Sequence, residues 1–269
     1  MNYDKAALAL HKKFQGKLET IAKTKLKTKE DLSKLYTPGV AAVSRAISKN
    51  KALAKELTLS GRTIAIISDG SAILGLGNLG PEAAMPVMEG KAILFKNFAG
   101  VDAFPIVLAS QDTEEIIQAV KMIAPTFGGI NLEDISAPRC FEIEERLREI
   151  LEIPVFHDDQ HGTAIVVSAA LKNAAKVVEK DFSSLKVVMV GAGAAGLATA
   201  KMLLGLDGAW TELRQLSDVA HIAQLKIVDT RGVIYPSRPD VLNPHNKYKN
   251  ALLKFSNTRC RRRSIYTAE

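Results

Sequence analysis

Two adjacent aspartates, Asp158 and Asp159, stand inside FHDDQHGT (Phe156 to Thr163), where an apolar run stops and a helix-like pattern begins. Carboxylates this close repel each other unless a cation or an ammonium compensates them. A second acid pair, Glu133 and Asp134, ends the apolar run of GGINLED (Gly128 to Asp134). The segment between them, APRCFEIEERLREIL, has helical spacing, so the two runs read as parallel strands joined by a right-handed crossover. Both pairs then fall at the carboxyl edge of one sheet, where open α/β sheets bind ligands. Carboxylates converging there suit a hard divalent cation, Mg²⁺ or Mn²⁺, which takes oxygen ligands and keeps positions for water or substrate. Acids at strand ends also serve as helix caps and first-turn charges, and that would account for one pair alone. Two pairs on consecutive strands, the second followed by His161 and a Gly-Thr helix entry, favour the metal. His157 and His161 are expected to hydrogen-bond rather than to ligate it.

A nucleotide site is spelled out further along. GAGAAG (Gly191, Ala192, Gly193, Ala194, Ala195, Gly196) follows the strand-like LKVVMV and precedes the helix-like LATAKMLLGL. Glycines there permit the tight turn, the approach of backbone to a pyrophosphate and close helix-on-strand packing, while the helix N-terminus supplies the anion site. The next strand-like run, LKIVD, ends in Asp229, where a carboxylate can accept hydrogen bonds from the adenosine ribose and favour NAD. Arg231 nearby keeps NADP open. The spacing is longer than usual because Asp207 to Gln224 is inserted or extends the helix. A second glycine run, GLGNLG (Gly75 to Gly80), fits the same pattern, but Pro81 starts the next helix and no acid ends a following strand at the right distance. It reads as a loop lining a cleft.

These groups need a scaffold, and the patterning supplies one. Residues Asp4 to about Leu57 have helical spacing, with Thr37-Pro38-Gly39 as the firm interruption. From Gly61 on, TIAIIS, VDAFPIVLA, GGINLED and IPVFHD alternate with helix-like stretches, the alternation of a parallel α/β domain. A second unit begins near Phe182. The expected fold class is therefore α/β: a helical N-terminal segment and parallel-sheet domain over residues 1–180, then an incomplete Rossmann unit over 181–269.

The bulk properties are those of a soluble globular chain, 269 residues long, 47% hydrophobic and 24% charged. Its longest apolar runs are broken by Gly and Lys, so no membrane span is expected, and the Lys-rich start lacks an apolar signal core. Cys140 and Cys260 are too few and too far apart for a disulfide framework, which fits a reducing cytoplasm. The net charge of +7 divides into +8 over residues 1–60, −7 over 61–246 and +6 over 247–269. An acidic body with basic ends, lacking zinc-finger spacings or RNA-binding aromatic motifs, argues against nucleic acid. The Lys-rich N-terminus reads as a solvated face or an oligomer contact, and a homodimer or higher homo-oligomer is expected.

Together, YTPGV (Tyr36 to Val40), SDGSAILGLGNLGPEAAMPVMEGKAILFKNFAGVDAFPI (Ser68 to Ile106), NLEDI (Asn131 to Ile135), FHDDQHGT and VGAGAAG resemble the malic enzymes in their shorter bacterial form, over about Tyr36 to Pro244. The resemblance implies oxidative decarboxylation of malate to pyruvate and CO₂ with Mg²⁺ or Mn²⁺ and NAD or NADP. By it, Glu133, Asp134 and Asp159 are metal ligands, Lys91 the general base, Tyr36 the general acid, and Asp158 the carboxylate that positions and tunes Lys91. The chain departs from the family after Asp229. The rest of a dinucleotide domain is not legible there, and KFSNTRCRRRSIYTAE reads as neither strand nor helix. That pattern suggests a unit cut within its nucleotide domain, with residues after about Asp229 poorly ordered, weak NAD binding and low malate oxidation. Two other readings stand beside the leading one: an oxaloacetate decarboxylase that uses no hydride transfer, and a silent fragment that pairs with a full-length subunit.

Overall fold

The structure is a computed structural model and describes residues 2–243 and 246–256. Two compact units divide it: residues to Asp134 with Ile150–Val155, and Ile135–Glu149 with the residues from Phe156 on.

The first unit opens with four helices, α1 (Tyr3–Phe14), α2 (Lys29–Leu35), α3 (Val40–Lys49) and α4 (Leu53–Leu57), none of which buries a residue. The expected helical stretch is thus broken more often than at Thr37-Pro38-Gly39 alone. After α1 the chain turns through Gln15 and Gly16, both at positive φ, and α2 starts afresh at a capping box between Thr28 and Asp31.

The sheet follows. Its strands are β1 (Thr63–Ser68), β2 (Asp102–Val107) and β3 (Gly129–Leu132), linked by α5 (Pro81–Ala99) and α6 (Thr113–Ile123). After α7 (Arg139–Ile150) comes β4 (Val155–His157), and the strand order is β2-β1-β3-β4. β1 pairs in parallel with both β2 and β3, Ile66 facing Pro105 on one side and Asn131 on the other. Buried parallel strands need apolar side chains on both faces, and β1 supplies them with Ala65, Ile66 and Ile67, all fully buried. Ile66 packs with Ala84, Met88 and Ala92 of α5. α5 begins with Pro81 at its first position and stops at Gly100 in the left-handed region; α6 is capped by Asp112, which accepts from the amides of Glu114 and Glu115.

In the second unit, α8 (Asp158–Val177) begins at the acid pair itself, ahead of the expected entry at Gly162. Asp158 and Asp159 belong to the first helical turn because negative charge there complements the helix dipole. β5 (Lys186–Val190) and α9 (Ala194–Leu203) open the nucleotide-type unit. The segment expected as an insertion then folds as a small hairpin, β6 (Leu206–Asp207) against β7 (Arg214–Gln215). β8 (Gln224–Asp229) follows and runs parallel to β5, from Lys186 beside Gln224 to Val190 beside Val228. β9 (Gly232–Val233) pairs antiparallel with β8, and α10 (Lys247–Leu252) closes the described part. The poor order expected after Asp229 is corrected here for the described residues. Tyr248 and Leu252 of α10 are buried, and the Tyr248 ring lies 4.4 Å from that of Phe141 and 5.6 Å from that of Trp210. An aromatic cluster of this size anchors a short helix that isolated propensity would not hold. Cys260 and the arginine cluster lie outside the described residues. Among those described, no helix is long and apolar enough to cross a membrane.

Candidate active site

In the first unit, Glu133 and Asp134 come directly after β3. The Glu133 amide still donates to Ile67 O at 2.9 Å, so the strand ladder aims both residues at the carboxyl edge of the sheet. Asp134 adopts φ 54°, a region that Asp tolerates better than most residues, while its carbonyl accepts from the Ala72 amide at 3.0 Å. Both acids are buried. Glu133 Oε2 accepts from Asn131 Nδ2 at 2.9 Å, and Glu133 Oε1 lies 3.3 Å from Lys91 Nζ on α5. A buried carboxylate stays ionised only when compensated. The Lys91 ammonium offsets one charge of the pair, and two buried carboxylates at a sheet edge are the hard oxygen donors that a divalent cation takes. Tyr36, the C-cap residue of α2, is 66% exposed.

The GLGNLG loop folds onto itself: Ile73 N donates to Gly77 O, and the amides of Leu79 and Gly80 to Gly70 O. It ends where Pro81 starts α5.

In the second unit, the first turn of α8 is braced by Glu144 of α7. The buried Glu144 carboxylate accepts from the His157 amide at 3.2 Å, from Gln160 Nε2 at 3.1 Å and from His161 Nε2 at 2.7 Å. His157 is fully buried, with Nδ1 3.0 Å from Gln160 Nε2 and Nε2 3.3 Å from Asp159 Oδ2. Gly162 completes the turn, since a Cβ there would fall 2.3 Å from Asp158 Oδ1. Sequence reasoning missed Glu144, Gln160 and Asn131. A signal for Glu144 existed: it occupies the stripe Cys140, Ile143, Glu144, Leu147, whose other members are apolar, and a charge inside a buried stripe needs partners. Burial, with the charges of Asp159 and Glu144, pushes the Cys140 thiol far above its usual range, which makes it a poor nucleophile.

The GAGAAG loop joins β5 to α9. Gly191 has φ 116°, and its amide donates to Val228 O at 2.7 Å. A Cβ on Gly196 would lie 2.1 Å from Gly191 O, so the first turn of α9 approaches the loop only because residue 196 has no side chain. Gly191 and Gly193 face open space, and Ala194 and Ala195 begin the helix whose free amides point toward that space. Gly196→Ala should force α9 away from the loop, lowering the thermal midpoint by several degrees and weakening ADP binding by about tenfold or more. Calorimetric titration with ADP checks this; unchanged affinity would show that the close approach does not shape the anion site.

Asp229 is engaged from four directions. Its oxygens accept from Arg238 Nη1 (2.9 Å) and Nη2 (2.5 Å), Lys249 Nζ (2.9 Å) and the Arg231 amide (2.9 Å). A carboxylate has about four acceptor positions, so a ribose hydroxyl must displace one of these donors. Burial works against the charge, but the hydrogen bonds from Arg238 and Lys249 outweigh it and hold the carboxyl far below its ordinary range. A depressed folded pKa gives stability that is complete above the unfolded value of about 4 and lost as pH falls through the folded value. Urea unfolding should therefore show the wild type losing stability below about pH 4 faster than Asp229→Asn; parallel acid limbs would refute this. Beside Asp229, a cleft of about 310 Å³ includes Arg231, Asp240, Asn243 and Asn246.

Comparison with known proteins gives a consistent result. The family model described as "Malic enzyme, N-terminal domain" matches residues 15–113 and 109–148, and "Malic enzyme, NAD binding domain" matches 160–266. An NAD-dependent malic enzyme of Geobacillus stearothermophilus is 65% identical over 189 residues, covering 70% of this chain and 40% of that protein. A bifunctional malic/malolactic enzyme of Bacillus subtilis is 49% identical over 257 residues, covering 96% and 58%. Among solved structures, the NAD-dependent malic enzyme of Thermotoga maritima superposes with a TM-score of 0.84 at 46% identity, over 93% of this chain and 62% of that one. The chain thus spans 40% and 58% of the length of those two curated relatives.

Proposed function

Because the chain belongs to the malic enzyme family, we propose that it carries out oxidative decarboxylation of malate to pyruvate and CO₂ with a divalent metal and NAD or NADP. The observation that carries this reading is the buried pair Glu133 and Asp134 at the end of β3 with the Lys91 ammonium 3.3 Å from Glu133. Mg²⁺ or Mn²⁺, held by Glu133, Asp134 and Asp159, would supply Lewis acidity toward the malate hydroxyl and later the ketone oxygen. Lys91, as the neutral amine, would take the malate hydroxyl proton, and NAD or NADP, when bound, would supply the hydride acceptor. Asp158 positions and tunes Lys91. After CO₂ departs, Tyr36 returns a proton to the carbon it left, giving pyruvate. Gly191, Ala192, Gly193, Ala194, Ala195 and Gly196 would hold the pyrophosphate, and Asp229 would accept from the ribose hydroxyls, with the half-buried Lys249 as the donor that would give way.

The same reading puts the metal and acid-base groups in a domain over residues 1–180, the nucleotide groups over 181–269, and the protein in the cytoplasm. It includes self-association: Leu8, Phe14, Leu32, Leu35, Val40 and Val43 of α1 to α3 are exposed, more apolar surface than a solvated face needs. Pyruvate release by the purified chain, from malate with Mn²⁺ and either nucleotide and separately from oxaloacetate, tests the reading. Pyruvate from both substrates is expected. Pyruvate from oxaloacetate alone would restrict the activity to decarboxylation without hydride transfer, and none from either would overturn it.

A further inference from the structure

The contacts around the first turn of α8 form a chain with a direction. The Glu144 carboxylate oxygens accept from three N–H donors, and Gln160 therefore turns its amide nitrogen rather than its oxygen toward them. The same nitrogen lies 3.0 Å from His157 Nδ1. An amide NH₂ is a donor only, so His157 Nδ1 has to be the acceptor and the ring proton has to sit on Nε2. That nitrogen is fully buried, makes no aligned hydrogen bond, and lies 3.3 Å from Asp159 Oδ2. We propose that Glu144, Gln160 and His157 form a positioning relay that fixes the Nε2–H tautomer of His157 and so holds the Asp159 carboxylate in its ligating orientation.

None of the three touches the metal in this scheme. They act through Asp159, and the proposal rests on the reading of Asp159 as a metal ligand. Outer partners of this kind fix the orientation of ligating groups, and their loss costs about 10- to 100-fold in metal affinity. Glu144 reaches α8 from α7 and ties the turn down at three points, so the geometry is set before any cation arrives. The relay therefore starts outside α8, with Glu144 of α7 accepting from the His157 amide across the α7–β4 connection.

The ring nitrogens of His157 in the metal-free chain can be resolved by nitrogen-15 NMR. The Nε2-protonated form is expected, and an Nδ1-protonated ring would overturn the relay whatever any variant does. Gln160→Met keeps the volume but removes the amide; in the folded variant, confirmed by circular dichroism, the tautomers should mix and the Mn²⁺ dissociation constant should rise about tenfold. Mixed tautomers with unchanged Mn²⁺ affinity would overturn the positioning role. Failure of the unaltered chain to bind Mn²⁺ would overturn the metal reading instead, a result separable from the tautomer because that is read without metal.

Discussion

Asp159→Asn should lower Mn²⁺ affinity by at least about 100-fold, beyond the range that outer-sphere partners command, while leaving the fold in place. The substitution removes a charged oxygen ligand at nearly constant volume, and a hard dication loses more from that exchange than a softer metal would. Helix α8 keeps Asp158 in its first turn, so the dipole retains an acidic partner and the helix should still start where it does. Calorimetric titration of Mn²⁺ into the variant, with circular dichroism as the control, decides it. Wild-type affinity would remove Asp159 from the ligand set.

Lys91→Ala should cut malate turnover by about 10²- to 10⁴-fold, the usual contribution of a positioned acid-base group. Its effect on metal binding should have the opposite sign. The ammonium lies 3.3 Å from Glu133 Oε1, and removing it takes a like charge away from the neighbourhood of a bound cation. Mn²⁺ should bind the variant as tightly as the wild type or tighter. The split between a collapsed rate and a preserved dissociation constant separates a base from a structural ion pair, which would weaken both. Turnover near normal in the variant would assign the proton transfer to another group.

The parallel sheet was legible because its strands are short and apolar: β1 and β3 fall where TIAIIS and GGINLED place them. The glycine turn before α9 was legible for a similar reason, since the lack of a side chain at Gly196 answers a backbone contact that any such turn must make. Helix starts were less so. Asp158 and Asp159 look like the end of a strand in a linear pattern, yet the dipole recruits them into α8. Glu144 was easily passed over because a charge on an amphipathic helix normally marks the solvent face; its place among apolar Cys140, Ile143 and Leu147 was the one sign that it is internal. The hairpin of β6 and β7 escaped notice because two-residue strands carry no period.

The four N-terminal helices that bury nothing have a practical consequence for proteolysis. Residues 18–30 are exposed throughout and contain Lys23, Lys25, Lys27 and Lys29, while the fold tethers the chain just before them through Lys17, whose Nζ donates to Pro86 O at 2.7 Å. Segments with exposed backbone and few buried contacts open at little cost, so trypsin should nick this stretch well before it reaches the sheet. Mass spectrometry of a brief digest should find the first cuts among those four lysines; first cuts within β1 to β3 would contradict the burial described above. A nicked chain retains Tyr36, Lys91 and both acid pairs, so a timed digest can ask directly whether α1 contributes anything to turnover.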